Sequence, residues 1–248
     1  MLLAATVALA ATITGTDGPD TLNGTAQADL IDARAGNDTV NGLGGADTID
    51  GAAGNDRING DGSCSPGSQP YYCVPGGNAG KDRIAGGSGR DRINGNGNDD
   101  VIGGGSGNDI ANGDAGRDRI NGANGSDVLS GSGSRDVIDG GANGDRVAGN
   151  SGDDRLTGGT GNDRVFGSNG DDRMIGSNGN DFLSGGNGND RIEGNRGNDR
   201  IRAGAGNDRI AVRDGRRDTV NCGPGRRDRV TADRRDRISR NCERVNRR

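Results

Sequence analysis

Aspartate recurs in this chain at an interval that fixes its chemistry. Asp20, Asp29, Asp38, Asp47 and Asp56 stand nine residues apart. After an interruption, Asp82 opens a second series of 15 at the same spacing: Asp91, Asp100, Asp109, Asp118, Asp127, Asp136, Asp145, Asp154, Asp163, Asp172, Asp181, Asp190, Asp199 and Asp208 follow. Of the 36 acids only Glu193 and Glu243 are glutamate. Short carboxylates suit tight turns and hard-cation sites, where the longer glutamate would serve a solvated helix as well. The chain has no His, so the commonest general base and the usual zinc and copper ligand are missing. Ser–His and Cys–His nucleophile pairs cannot be assembled from it. No acidic pair is set apart from the repeat as reactive, which leaves cation ligation as the chemistry on offer.

The residues around each Asp define the element that must position it. Two places after the marker stands an aliphatic residue, from Leu22, Ile31 and Val40 through Ile192, Ile201 and Ile210, with Ala111 the one weak member. Two places before it is usually Gly, and four places after almost always Gly. A representative unit is Gly185-Gly186-Asn187-Gly188-Asn189-Asp190-Arg191-Ile192-Glu193. Its first six residues are turn-formers that tolerate positive φ, and the last three form a very short strand. Alternation turns the aliphatic inward and its two neighbours outward. The chain must therefore reverse every nine residues, and two units close one 18-residue coil. The predicted fold is all-β: a parallel β-roll of about 20 repeats, two per coil, around a thin aliphatic core. Collagen is excluded, because Gly does not fall at every third position. Coils stack about 4.8 Å apart, so the Asp residues form columns. Adjacent unit charges at that distance repel by several kcal/mol at an effective dielectric of about 20. A compensating cation is required. Calcium fits, since it takes six to eight oxygen ligands and mixes carboxylates with the backbone carbonyls that Gly-rich turns expose. Magnesium demands tighter geometry and competes poorly.

The unit resembles the repeats-in-toxin, or hemolysin-type, calcium-binding nonapeptide G-G-x-G-x-D-x-U-x. Complete matches include Gly104-Gly105-Ser106-Gly107-Asn108-Asp109 and Gly158-Gly159-Thr160-Gly161-Asn162-Asp163. The resemblance covers roughly residues 15–60 and 77–212. It implies one Ca²⁺ between each pair of stacked loops, with the marker Asp as its side-chain ligand. Asp29 follows Ala26-Gln27-Ala28; before Asp100 and Asp136 the Gly sits one place early, and before Asp145 one place late. Weaker sites are expected at these four.

Composition agrees with a fold that lacks an ordinary core: 28% of residues are hydrophobic, Trp is absent, and Gly numbers 52. Such values also describe disordered chains, and only the register of the repeats separates the two. Charge is uneven, about −13 over residues 1–208 and +8 over residues 209–248. Residues 1–14 carry the one long apolar run, too short to span a bilayer. It resembles the core of a secretory signal with Ala8-Leu9-Ala10 as the cleavage site and its charged start missing; the alternative is an N-terminal capping strand. Residues 61–76 break the period with three Pro and both Tyr, and read as an insertion loop, either a tolerated surface excursion or a recognition loop built on Tyr71 and Tyr72. Beyond Asp208 the spacing loosens to Asp218, Asp228 and Asp236, each followed by an apolar residue. Residues 213–248 thus read as a basic cap over the roll's open end, or as a surface for polyanions. Cys64, Cys73, Cys222 and Cys242 lie outside the regular repeats. An exported chain would pair them as two disulfides; three pairings are possible, and Cys64–Cys73 with Cys222–Cys242 is the simplest.

These features point to a non-enzymatic, secreted or cell-surface calcium-binding protein that folds on meeting calcium. Its outward Arg155, Arg173, Arg191 and Arg209 lie 18 apart on one face, either solvated or as a strip for anionic polysaccharide. No membrane span or specific nucleic acid partner is expected. Two other classes remain: a calcium-responsive export domain, here without a cargo domain, and ice binding through outward ranks of Thr and Asn. Arg57 ends the rank begun by Thr21 and Thr39.

Overall fold

The computed structural model describes residues 10–61 and 80–247. Among them are 25 strands in chain order, from β1 (Thr12–Thr14) to β25 (Arg244–Arg247), every pairing parallel. Odd strands build a 13-stranded sheet and even strands a 12-stranded one. Successive strands therefore lie in opposite sheets, as a chain that reverses every nine residues requires, and the result is a solenoid of about 12 turns. That exceeds the coils expected from 20 repeats, because strands continue past the regular series to Arg247.

Register is set by the aliphatic position. Ile120 pairs with Ile138, which pairs with Leu156, then Met174, Ile192 and Ile210. With their counterparts in the other sheet these residues form one continuous buried column, each at most 3% exposed. Ala111 is fully buried in this series, so the smallest member still fills its place. Burial alternates along the strands of the regular coils, as in Arg155–Thr160, where only Leu156 and Gly158 are buried.

Most strands are six residues long rather than the three expected. The extension follows from stacking identical turns. Ser132 on Asn150 and Gly141 on Gly159 stay in register beyond the aliphatic residue, so the ladder of N–H···O=C bonds carries on through the bend. The turn itself explains the Gly content. Gly107 has φ 132°, and a β-carbon on it would collide with the Gly89 carbonyl of the coil below. Only glycine satisfies both conditions.

The two series of repeats form a single stack. β5 (Thr48–Asp50) pairs directly with β7 (Arg83–Ser88), and β6 (Arg57–Asp61) with β8 (Arg92–Gly97). Register is therefore continuous from the strands before the interruption to those after it. Cys64 and Cys73 lie outside the described residues, as do residues 1–9 of the apolar run. At the other end β23 (Arg229–Ala232) pairs with β25, and a Cys222–Cys242 disulfide joins the last coils. No helix among the described residues is long and apolar enough to cross a membrane.

Candidate metal columns

Each marker Asp stands at the end of a Gly-rich turn, one residue before a strand, and its side chain is turned inward beside the aliphatic core. From Asp29 to Asp208 none is more than 4% exposed. One carboxylate oxygen has a fixed partner. The backbone N–H of Asp154 donates to Asp172 Oδ1 at 2.9 Å, and that of Asp172 to Asp190 Oδ1 at 2.9 Å. Asp163, Asp181 and Asp199 repeat the pattern in the other column. The insertion is bridged in the same way, Asp47 donating to Asp82 and Asp56 to Asp91. From Asp29 onward every marker Asp thus holds the backbone of the coil before it.

The second oxygen has no partner. Oδ2 of twenty of these residues is buried without a hydrogen bond, from Asp38, Asp47 and Asp56 through the series Asp82 to Asp208 and on to Asp218 and Asp228. Buried polar atoms are ordinarily paired, and leaving one unpaired costs about 1–3 kcal/mol. Twenty such exceptions recurring at the same place in successive coils could hold a bound cation. At many of the turns a carbonyl oxygen faces the same space. The point where a β-carbon would stand on Gly158 lies 2.6 Å from Asp163 Oδ2 and 2.8 Å from the Gly176 carbonyl oxygen. The same point on Gly104 lies 2.6 Å from Asp109 Oδ2 and 3.0 Å from the Gly122 carbonyl. Carboxylate and carbonyl oxygens facing one glycine-lined space suit a hard cation that accepts mixed oxygen ligands. Among the described residues no three Asp, Glu, Cys or His side chains gather at one point, so carbonyls must complete any shell. That requirement favours calcium over zinc.

Electrostatics carries the same message. Burial pushes the Asp100 carboxyl up to about 8, and those of Asp47, Asp82, Asp136, Asp145, Asp172, Asp199 and Asp208 to about 7. The donated backbone N–H opposes this rise, and the neighbouring carboxylates of the column add to it. Metal-free, the columns hold carboxyls that resist ionising at neutral pH. Asp99, half-buried and outside the columns, behaves oppositely, held low by the Lys81 ammonium and by Arg117.

The columns do not treat all expected positions alike. Asp20 Oδ2 accepts from the Thr16 N–H at 2.6 Å and from its hydroxyl at 2.9 Å, and Asp29 Oδ2 accepts from the Thr25 N–H at 2.5 Å. Thr16 and Thr25 occupy the oxygen that is free elsewhere. Asp100, Asp136 and Asp145 share the free Oδ2; what differs is the turn before them. Asn98, Ser134 and Asn143 hold φ of 72–77° where the regular loops have Gly near 130–150°. Asp218 and Asp228 join the columns although they fall outside the nine-residue interval. Their signal in the sequence is the aliphatic residue two places on, Val220 and Val230. Glu243 closes one column by accepting from the Asp228 N–H at 2.9 Å.

The family model for the RTX calcium-binding nonapeptide repeat matches residues 14–49, 35–63, 76–111, 112–147, 148–183 and 184–216. The chain belongs to this RTX repeat family. RTX nonapeptides bind multiple calcium ions. The family match ends at residue 216, short of Asp218 and Asp228, which the geometry includes. A search of curated proteins finds no match. RTX rolls are typically structural and not catalytic.

Proposed function

We propose that this RTX roll is a secreted or cell-surface protein that is ordered by calcium and serves a structural role. The observation that carries the reading is the pair of rows of buried, unpartnered Asp Oδ2 atoms. Asp38, Asp47, Asp56, Asp82, Asp91, Asp109, Asp118, Asp127, Asp154, Asp163, Asp172, Asp181, Asp190, Asp199 and Asp208 are the side-chain ligands, joined by Asp218 and Asp228. Asp100, Asp136 and Asp145 bind more weakly because their turns present carbonyls differently, and Asp20 and Asp29 are the weakest. Asp29 through Asp56 and Asp82 onward act as one continuous array. Each ion offsets column repulsion and uses the orphaned oxygens, so binding free energy becomes folding free energy. Millimolar calcium outside a cell would then order a chain that is loose where calcium is scarce. The Cys222–Cys242 disulfide suits an oxidising compartment.

Calorimetric titration with calcium, read beside far-UV circular dichroism, tests this. The expected result is many equivalents bound with a gain of β signal. An unchanged spectrum in excess chelator would sink calcium-dependent folding. A second reading, adhesion to anionic polysaccharide, is favoured by exposed Arg in direct register on both sheets, Arg155, Arg173, Arg191 and Arg209 on one and Arg146 beside Arg164 on the other.

A further inference from the structure

Away from the metal columns, one aromatic cluster stands among the described residues, on the outward face of the 12-stranded sheet. Phe166 of β16 (Arg164–Asn169) and Phe182 of β18 (Phe182–Asn187) are the chain's two phenylalanines, in a sequence with no Trp. Their ring centroids are 5.8 Å apart and tilted by 55°. The guanidinium of Arg146, on β14 (Arg146–Ser151), lies 4.6 Å from the Phe166 centroid, and that of Arg202, on β20 (Arg200–Ala205), 5.6 Å from that of Phe182. Register places Arg146 beside Arg164, Arg164 beside Phe182, and Phe182 beside Arg200. All four Arg are exposed and both rings half-buried. None of these four strands contains an acidic residue, and no ion pair among the described residues engages the four guanidiniums.

We propose that this face binds an acidic polysaccharide, its sugar rings packing on the two phenylalanines and its carboxylate or sulfate groups held by the Arg forks. The inference deepens the adhesion reading above and rests on it. The chemistry follows from the four strands. A guanidinium lying on a ring keeps its N–H edge for a planar anion, and bidentate capture of carboxylate is the contact for which Arg is built. A half-buried aromatic pair offers a rigid apolar platform at little entropic cost. Strand spacing of about 4.8 Å repeats these groups along an extended chain of sugars. Single-stranded DNA would also engage aromatic rings and guanidiniums, so it stands as the competing arm of the test. The opposite sheet supplies an internal control. Arg173, Arg191 and Arg209 form a row there without aromatics, and Arg173 lies 3.5 Å from Glu193.

The calcium-loaded full chain is titrated with a short oligouronate, too short to gel with calcium, a sulfated oligosaccharide of equal length, a neutral oligosaccharide and single-stranded DNA. Both acidic sugars, or one of them, should bind. Phe166→Leu with Phe182→Leu, which keeps apolar cover, and Arg146→Gln with Arg164→Gln, Arg200→Gln and Arg202→Gln should each lose about tenfold or more in affinity. Arg173→Gln with Arg191→Gln and Arg209→Gln should lose less than about threefold. Circular dichroism in calcium confirms that each variant keeps the roll. Equal losses from the control set, full affinity in the Leu pair, equal binding of the neutral sugar, or tighter binding of DNA would each overturn the proposal. A wild-type chain that binds calcium but no acidic sugar would end the adhesion reading itself; wild-type binding that survives every Phe and Arg change would reject only this location.

Discussion

At the scale of single residues, the marker Asp performs two separable tasks. Asp172 Oδ1 holds the Asp154 backbone N–H at 2.9 Å, while Oδ2 is buried without a partner and, on the function proposed above, faces a cation. Two substitutions divide these tasks. Asp172→Asn keeps an acceptor for the N–H but removes the charge, whereas Asp172→Ala removes both. In saturating calcium each should lower the bound stoichiometry by one or two ions. Asp172→Ala should also be less stable than Asp172→Asn by about 1–3 kcal/mol, the cost of a buried unsatisfied donor. Thermal unfolding in calcium, with calorimetric stoichiometry, measures both. Asp20→Asn should leave the stoichiometry unchanged, because Thr16 already occupies Asp20 Oδ2. Equal losses at Asp20 and Asp172 would refute the distinction drawn from the orphaned oxygens.

At the scale of the element, the turn and not the strand carries the geometric constraint. Gly107 sits at φ 132° against the Gly89 carbonyl, whereas Gly103 has no positive φ and its nearest atom beyond a β-carbon is the Ile84 carbonyl oxygen at 4.0 Å. Gly107→Ala should therefore destabilise the calcium-loaded roll by roughly 1–3 kcal/mol or more, and Gly103→Ala should be nearly neutral. Chemical denaturation midpoints in calcium distinguish them. The end of the stack depends on a different device. The Cys222–Cys242 bridge closes a segment of 20 residues, and its removal by Cys222→Ala with Cys242→Ala should cost about 3 kcal/mol on the chain-entropy account. Hydrogen exchange should show the loss concentrated in β23 and β25, with the middle coils keeping their protection.

At the scale of the whole molecule, the two columns make stability depend on protons as well as calcium. Carboxyls raised by burial to about 6 to 8 in the roll return to about 4 in an unfolded chain. Protonation therefore favours the metal-free roll below about pH 4, and this contribution is lost as pH rises through about 6 to 8. In chelator, far-UV circular dichroism should report more β structure at pH 4 to 5 than at pH 8. Calcium at pH 8 should restore it, with protons released as the metal binds at pH 6 to 7. A metal-free chain that is most ordered at pH 8 would contradict the account, since the sign of every raised carboxyl runs the other way.

The residues alone determined the periodic part of this protein. The interval of nine, the inward aliphatic and the Gly positions dictate the coil, because a turn and a two-residue alternation repeated in phase admit few other paths. The columns of Asp and the need for calcium follow from the same phase. Tertiary structure decided what lies between coils. That Asp218 and Asp228 belong to the columns depends on backbone register, which tolerates an extra turn residue that breaks a count along the chain. That Asp20 and Asp29 lose their free oxygen depends on Thr16 and Thr25 reaching back four residues. The six-residue strands arise because identical turns can hydrogen-bond to one another only once stacked, and the pairing of β5 with β7 across the insertion is likewise a property of the stack. The Phe and Arg patch has no period to announce it: Arg146, Phe166, Phe182 and Arg202 are 16 to 20 residues apart in sequence, and become neighbours only when each coil is laid on the last.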